Sequence, residues 1–335
     1  MTGIVRRLLA PLALAAASCS SGAQAPADET GAPKLERTIG LPDTAGRIDH
    51  LAYDAESRRL FVAELGNGSV DAVALASGRI AGRISGLGRP QGVAWLPGSR
   101  QLAIASQDGT LRFYDSALRS LALLNLGEDA DNLHVDPASG MLVVGFGSGA
   151  LAAIEPASRR IVGRLVLPGH PEGFQVDRGK AYVNVPDAGE IVVGDIGTGR
   201  TLARWPTGGL RQNFPLALEP GARRLAIGFR QPARLAILDA ASGRILQDLP
   251  ACGDSDDLFF ASSRLLVMIC GSGEVDLFRP RAGVYARAGG ARTRPGARTG
   301  IPVSEDQLFV AARSAGGEAA ALLAFRLPAS ESAGR

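Results

Sequence analysis

One short phrase recurs seven times along this chain, and its spacing limits the fold more than any other feature. Apolar strands begin at Leu60, Leu102, Leu142, Ala181, Leu225, Leu265 and Leu308, so that successive starts lie 42, 40, 39, 44, 40 and 43 residues apart. Hairpin signals follow them, at Asn67-Gly68, Asp108-Gly109, Gly147-Ser148-Gly149 and Gly271-Ser272-Gly273. Such turns need positive φ, which glycine supplies without steric cost. Third strands then run over Val70 to Leu75, Thr110 to Tyr114, Ile191 to Asp195 and Leu235 to Asp239. Second turns at Ser77-Gly78, Thr198-Gly199 and Ser242-Gly243 lead into a more polar fourth strand, as in Arg79 to Ile84 and Arg244 to Leu249. A period near 40 holding four short strands is that of a propeller blade.

The ends of the array are unequal. The seventh repeat has strands near Ile301, Leu308 and Leu322 and lacks a fourth, while the unmatched segment Leu35 to Pro42 resembles the fourth strands elsewhere, such as Ile161 to Pro168. The expected fold is therefore all-β, a seven-bladed β-propeller of four-stranded blades in which the N-terminal strand completes the last blade. Closure of that kind removes the open edges between the first and last blades. A parallel β-helix is the rival, but its coils are shorter and need no completion. A closed all-β fold also explains how 335 residues form one domain, here expected over 34–327 with a disordered tail over 328–335.

Before the first repeat the sequence reads as a targeting signal. Arg6 and Arg7 precede the apolar stretch Leu8 to Ala17, which is too short to span a bilayer. Ala16-Ala17-Ser18-Cys19 resembles a lipobox with Cys19 as the lipidated residue, although Ala stands where Leu is usual; Ala25-Pro26-Ala27 offers simple secretion instead. Residues 1–19 are thus expected to be a signal peptide of lipoprotein type, and 20–33 a flexible tether. The mature protein is expected in the periplasm or outer envelope, touching the membrane only through a lipid anchor. Without Arg6 and Arg7 the chain carries 34 basic and 33 acidic residues, so the basic isoelectric point says little about partners. No basic run with interleaved aromatics argues for nucleic acid.

Several chemistries lack their motifs. There is no C-x-x-C-H for covalent haem and no G-x-S-x-G for a serine nucleophile. Gly145 to Gly149 has the letters of a phosphate loop but no following helix. Trp95 and Trp205 fall at or beside strands and read as packing residues. If Cys19 is lipidated, Cys252 and Cys270 remain, either as one disulfide in an oxidising compartment or as two separate buried thiols.

The repeat places the loops entering the innermost strands on one face, beside the channel. They contribute Arg47, Asp49 and His50; Arg89 and Gln91; Asp131 and Asn132; His170 and Glu172; Arg211 and Asn213; Asp256 and Asp257; and Arg298. Three readings of this rim stay open. The arginines Arg47, Arg89, Arg211 and Arg298 can bind a small polar or anionic ligand. His50, Asp49, Asp131, His170, Glu172 and Asp256 can hold a divalent metal and a hydrolytic water. Alternatively the residues tie neighbouring blades together. Asp254 to Asp257 is the densest acidic cluster, without EF-hand spacing.

Strands of the Leu-Phe-Val-Ala type, with third strands running into Asp-x-x-Ser-Gly-Arg turns, resemble those of the YVTN/YncE-like propellers of bacterial envelopes over roughly residues 34 to 327. That resemblance implies envelope-located binding or accessory work. Related architectures include amine dehydrogenase heavy chains, the haem-d domain of nitrite reductase and lactonases, but no matched catalytic set from any of them can be assigned. The expectation is a monomeric binding protein for a small polar ligand or an envelope protein, with no cofactor beyond a candidate divalent metal. A lactonase-like hydrolase and an electron-transfer-associated subunit are the alternatives.

Overall fold

The computed structural model describes residues 31–221, 223–262 and 264–329. Signal segment, Cys19 and most of the tether fall outside them, as does the tail from residue 330. The described chain forms seven four-stranded antiparallel sheets. Blade 1 contains Leu51–Asp54, Arg59–Glu64, Ser69–Ala74 and Arg79–Ser85, from the innermost strand outward. Blades 2 to 6 repeat this order, with innermost strands Pro90–Leu96, Ala130–Val135, Phe174–Asp177, Arg211–Leu218 and Ser255–Ser262. Each innermost strand contacts those of both neighbouring blades, and the last touches the first, so the sheets close into a ring.

Strand alternation explains where the core sits. Successive side chains of a strand point to opposite faces of its sheet. In the second strand of blade 1, Leu60 and Val62 face blade 7, whereas Phe61 and Ala63 face blade 2. The same division in every blade produces seven interblade cores rather than one centre. Second strands, packed on both faces, are therefore continuously apolar, as in Leu265–Cys270. The tryptophans serve this packing. Trp95 stacks on Phe61 of blade 1 at 5.5 Å between ring centroids. Trp205 lies against Gly243 of blade 5, where a Cβ would stand 2.1 Å from the indole. Gly243 also holds φ at 73°, so the turn demands glycine twice over.

Blade 7 is built from both ends of the chain. Its first three strands are Thr299–Ser304, Gln307–Ala312 and Ala321–Arg326, and Lys34–Gly40 pairs antiparallel with the last of these. Ile39 sits opposite Leu322, and both Ile39 and Leu41 are buried in the core between blades 7 and 1.

The fourth strands correct one expectation. They are less uniformly polar than the repeat implied: the ten exposed large hydrophobic residues among those described all lie on them, including Leu121, Leu123, Ile161, Val162 and Val166 of blades 2 and 3. An outermost strand buries only one face, and its alternation leaves the other in solvent. In blade 6, Cys252 and Cys270 are joined in a disulfide with Cα atoms 5.9 Å apart. It fastens the loop entering the blade to the end of its second strand.

Candidate functional site

The entry to the innermost strands is irregular in a repeated way. In blade 1, Asp49 N–H donates to the Ala63 carbonyl while Ala63 N–H donates to that of His50, so two residues oppose one. Glu172 and Gly173 oppose Asn184 identically in blade 4. The register slips by one residue at Gln91-Gly92 in blade 2, Asp131-Asn132 in blade 3, Phe214-Pro215 in blade 5 and Asp256 in blade 6. Blade 7 enters regularly, with Thr299 opposite Ala311 and Gly300 opposite Val310. A β-bulge bends its strand and re-aims the side chains beside it. Here six bulges surround the same end of the axis.

The result is a cavity of about 110 Å³ at the channel mouth, lined from all seven blades. Arg47, His50, Asp131, Asn132, Glu172, Gln175, Asp256 and Asp257 supply its polar wall, with Val93, Phe214, Pro215, Leu258 and Ile301 between them. Most of the charges are already engaged. Arg47 Nη2 lies 3.0 Å from Asp49 Oδ2. His50 Nδ1 stands 3.6 Å from Asp257 Oδ1, and Asp257 Oδ2 accepts the Gly300 N–H at 2.8 Å. Arg230 pairs with Asp256 and, at 3.3 Å, with Asp254, while covering the Phe214 ring at 3.8 Å from its centroid. Arg298 reaches Asp254 at 3.0 Å. Asp131 and Glu172 have no ion-pair partner among the described residues, and Asp131 Oδ1 is buried with no hydrogen bond.

Crowding shifts the titration of these groups in one direction. Burial opposes the His50 imidazolium, but Asp257, Asp49, Asp131 and Asp256 outweigh it and push its pKa up to about 9. Burial, followed by Asp49, raises Asp131 to about 6 against the pull of His50 and His170. Burial raises Asp257 to about 7, and burial with Asp131 and Asp256 raises Glu172 to about 8. His134 goes the other way: burial and the His50 charge lower it to about 4, so it packs as a neutral ring edge-on to Phe174, 4.8 Å between centroids.

Of the residues the sequence singles out, the structure gathers Arg47, His50, Asp131, Asn132, Glu172, Asp256 and Asp257 around the cavity, with Asp49 directly behind. The others serve elsewhere. Gln91 bridges blades 2 and 3 by donating to Asp129 Oδ1 at 2.8 Å. His170 donates from Nδ1 to the Gly147 carbonyl at 2.7 Å. Asn213 is fully buried between blades 4 and 5. Arg298 is held by Asp254, and Arg89 and Arg211 are exposed outside the cavity wall. The four-arginine anion site therefore does not assemble; only Arg47 reaches the cavity. Nor does the six-residue metal set. His170 is turned away to a carbonyl, and among the described residues no three His, Cys, Asp or Glu side chains group closely enough to hold a metal ion. Sequence reasoning missed Arg230, at the end of the long second strand Arg224–Gln231 of blade 5, and Gln175. Those second-strand ends reach the same face as the entry loops, which is the signal that points to Arg230.

No protein-family model matches this chain, and no curated protein matches it in sequence. Among solved structures it is similar to a chain in the crystal structure of the mitotic checkpoint complex, with a TM-score of 0.75 at 16% identity, covering 95% of this chain and 99% of the other. This likeness shows the fold. The chain is a seven-bladed β-propeller.

Proposed function

We propose that this propeller is an exported binding module that takes a small polar ligand at its channel mouth without turning it over. One observation carries the reading: a single cavity draws polar side chains from separate blades, most of them at the bulges that re-aim the entry of the innermost strands. Its volume of about 110 Å³ suits a compact molecule, since drug-sized sites run to roughly 300–1,000 Å³. Arg6-Arg7 with the following apolar stretch, the Cys252–Cys270 bond and the likeness of the repeat to YVTN/YncE-like propellers support export to an oxidising envelope compartment, with Cys19 as the anchor. The test is a thermal-shift screen of the purified chain against small amines, carboxylates, sugars and amino acids, beside Asp131→Asn. Stabilisation by one class that the variant loses is expected. Equal shifts in both proteins overturn the cavity as the site.

A second reading, an envelope protein partner, is favoured by the exposed Leu121, Leu123, Ile161, Val162 and Val166 on adjacent outer strands. Leu123→Asp with Val162→Asp is expected to abolish a specific in-cell cross-link made by the wild type. An unchanged pattern rejects that face.

A further inference from the structure

Resting on the small-ligand reading of the channel mouth, we propose that Asp131, Asn132 and Glu172 form a seat for a primary ammonium group of that ligand. Asp49, Asp254, Asp256 and Asp257 each have a basic partner within 4 Å, whereas Asp131 and Glu172, entering from neighbouring blades, have none among the described residues. The second observation is independent of charge. Asn132 is 8% exposed and lines the cavity, yet its amide finds no hydrogen-bond partner among the described residues. Beside it, Asp131 Oδ1 is buried with no hydrogen bond, and a buried acceptor left unpaired costs free energy that a ligand donor can recover.

The donor and acceptor inventory then selects the ligand. An ammonium has three N–H donors and no acceptor. Two carboxylates and the Asn132 Oδ1 offer three acceptors from one side of the cavity. A carboxylate or phosphate meets the acidic Asp131 and Glu172 there, while the basic side chains of the lining, Arg47 and His50, are already paired with Asp49 and Asp257. Among the described residues no three His, Cys, Asp or Glu side chains group closely enough to hold a metal ion. Apolar Phe214 and Pro215 line the same cavity and suit a short carbon chain.

Ligand-observed NMR on the full chain tests this with four probes: n-propylamine, its trimethylammonium analogue, propionate and calcium chloride. Propylamine is expected to bind. The analogue, which keeps the charge and lacks the donors, is expected to bind about tenfold more weakly, as is propylamine to Glu172→Gln. Asn132→Leu is made in parallel, so that a folding defect in either variant leaves the other informative; circular dichroism checks both. Preferential binding of propionate or calcium overturns the ammonium seat and leaves a ligand site standing. Equal binding of the amine and its trimethyl analogue also overturns the seat. Failure of all four probes to bind the wild type overturns both the seat and the small-ligand reading.

Discussion

The side-chain amide of Asn213 in blade 5 donates to Asn184 Oδ1 in blade 4 at 3.1 Å, and the same nitrogen donates to the Glu190 carbonyl. Asn184 in turn donates to the Phe214 and Pro215 carbonyls. A polar pair at the channel end of two blades thus locks those blades together rather than facing the channel. Deleting one member leaves buried acceptors without donors, which costs about 1–3 kcal/mol. Asn213→Ala should therefore lower the melting temperature by several degrees while leaving affinity at the cavity unchanged. Calorimetry and a ligand titration on the same sample check the two halves separately.

That pair also marks how far the sequence could be read. The seven-fold period located every second strand, and the missing fourth strand of blade 7 was legible because Leu35 to Leu41 had no other place in the repeat. The face bearing the site followed from topology. Which rim residues turn inward did not. Gln91 and Asn213 tie blades, whereas Asn132 lines the cavity, and all three are uncharged amides at equivalent entries. The difference lies in where each amide stands relative to the shared one-residue slip, Gln91 first in it, Asn132 second and Asn213 before it, and in what the neighbouring blade offers each, neither of which a local pattern encodes.

Ring closure should be a large term. Ile39 and Leu41 fill the core between blades 7 and 1, and their strand covers the edge of Ala321–Arg326. Ile39→Ala should cost about 2–5 kcal/mol through lost burial and the cavity left behind. A chain starting at residue 42 should go further and expose a sheet edge prone to pairing. Urea denaturation is expected to show the first loss as a lower midpoint at unchanged slope. Size-exclusion chromatography is expected to show the second as self-association, whereas a chain starting at residue 31 should elute as a single species.

The Cys252–Cys270 bond closes a short loop, the two positions being 18 apart in sequence, and both cysteines are buried in the core between blades 5 and 6. Loop-entropy arguments give such a cross-link about 3 kcal/mol. Cys252→Ser with Cys270→Ser should lower stability by that order, and a reducing agent should lower the wild-type melting temperature without affecting the double variant. An equal response of both proteins to the reductant would count against the bond as the cause.

The acidic mouth predicts how stability follows pH. Asp131, Asp257 and Glu172 have folded pKa values raised to about 6, 7 and 8, so the folded state holds protons that the unfolded chain releases near pH 4. Stability from these groups is therefore greatest at low pH and declines as pH climbs from about 4 through those values. His50, raised to about 9, adds stability that is complete below about 6.5 and disappears as pH passes 9. Both contributions fall in the same direction. Glu172→Gln removes one of the penalties without opening a cavity. It should leave the melting temperature at pH 5 nearly unchanged and raise it at pH 9, where Glu172 is otherwise ionised beside Asp131 and Asp256. After solvent screening the gain is of order 1 kcal/mol, or roughly 2 °C for a domain of this size. Melting curves of both proteins across this pH range test it. Parallel curves for wild type and variant would show that Glu172 carries no such penalty.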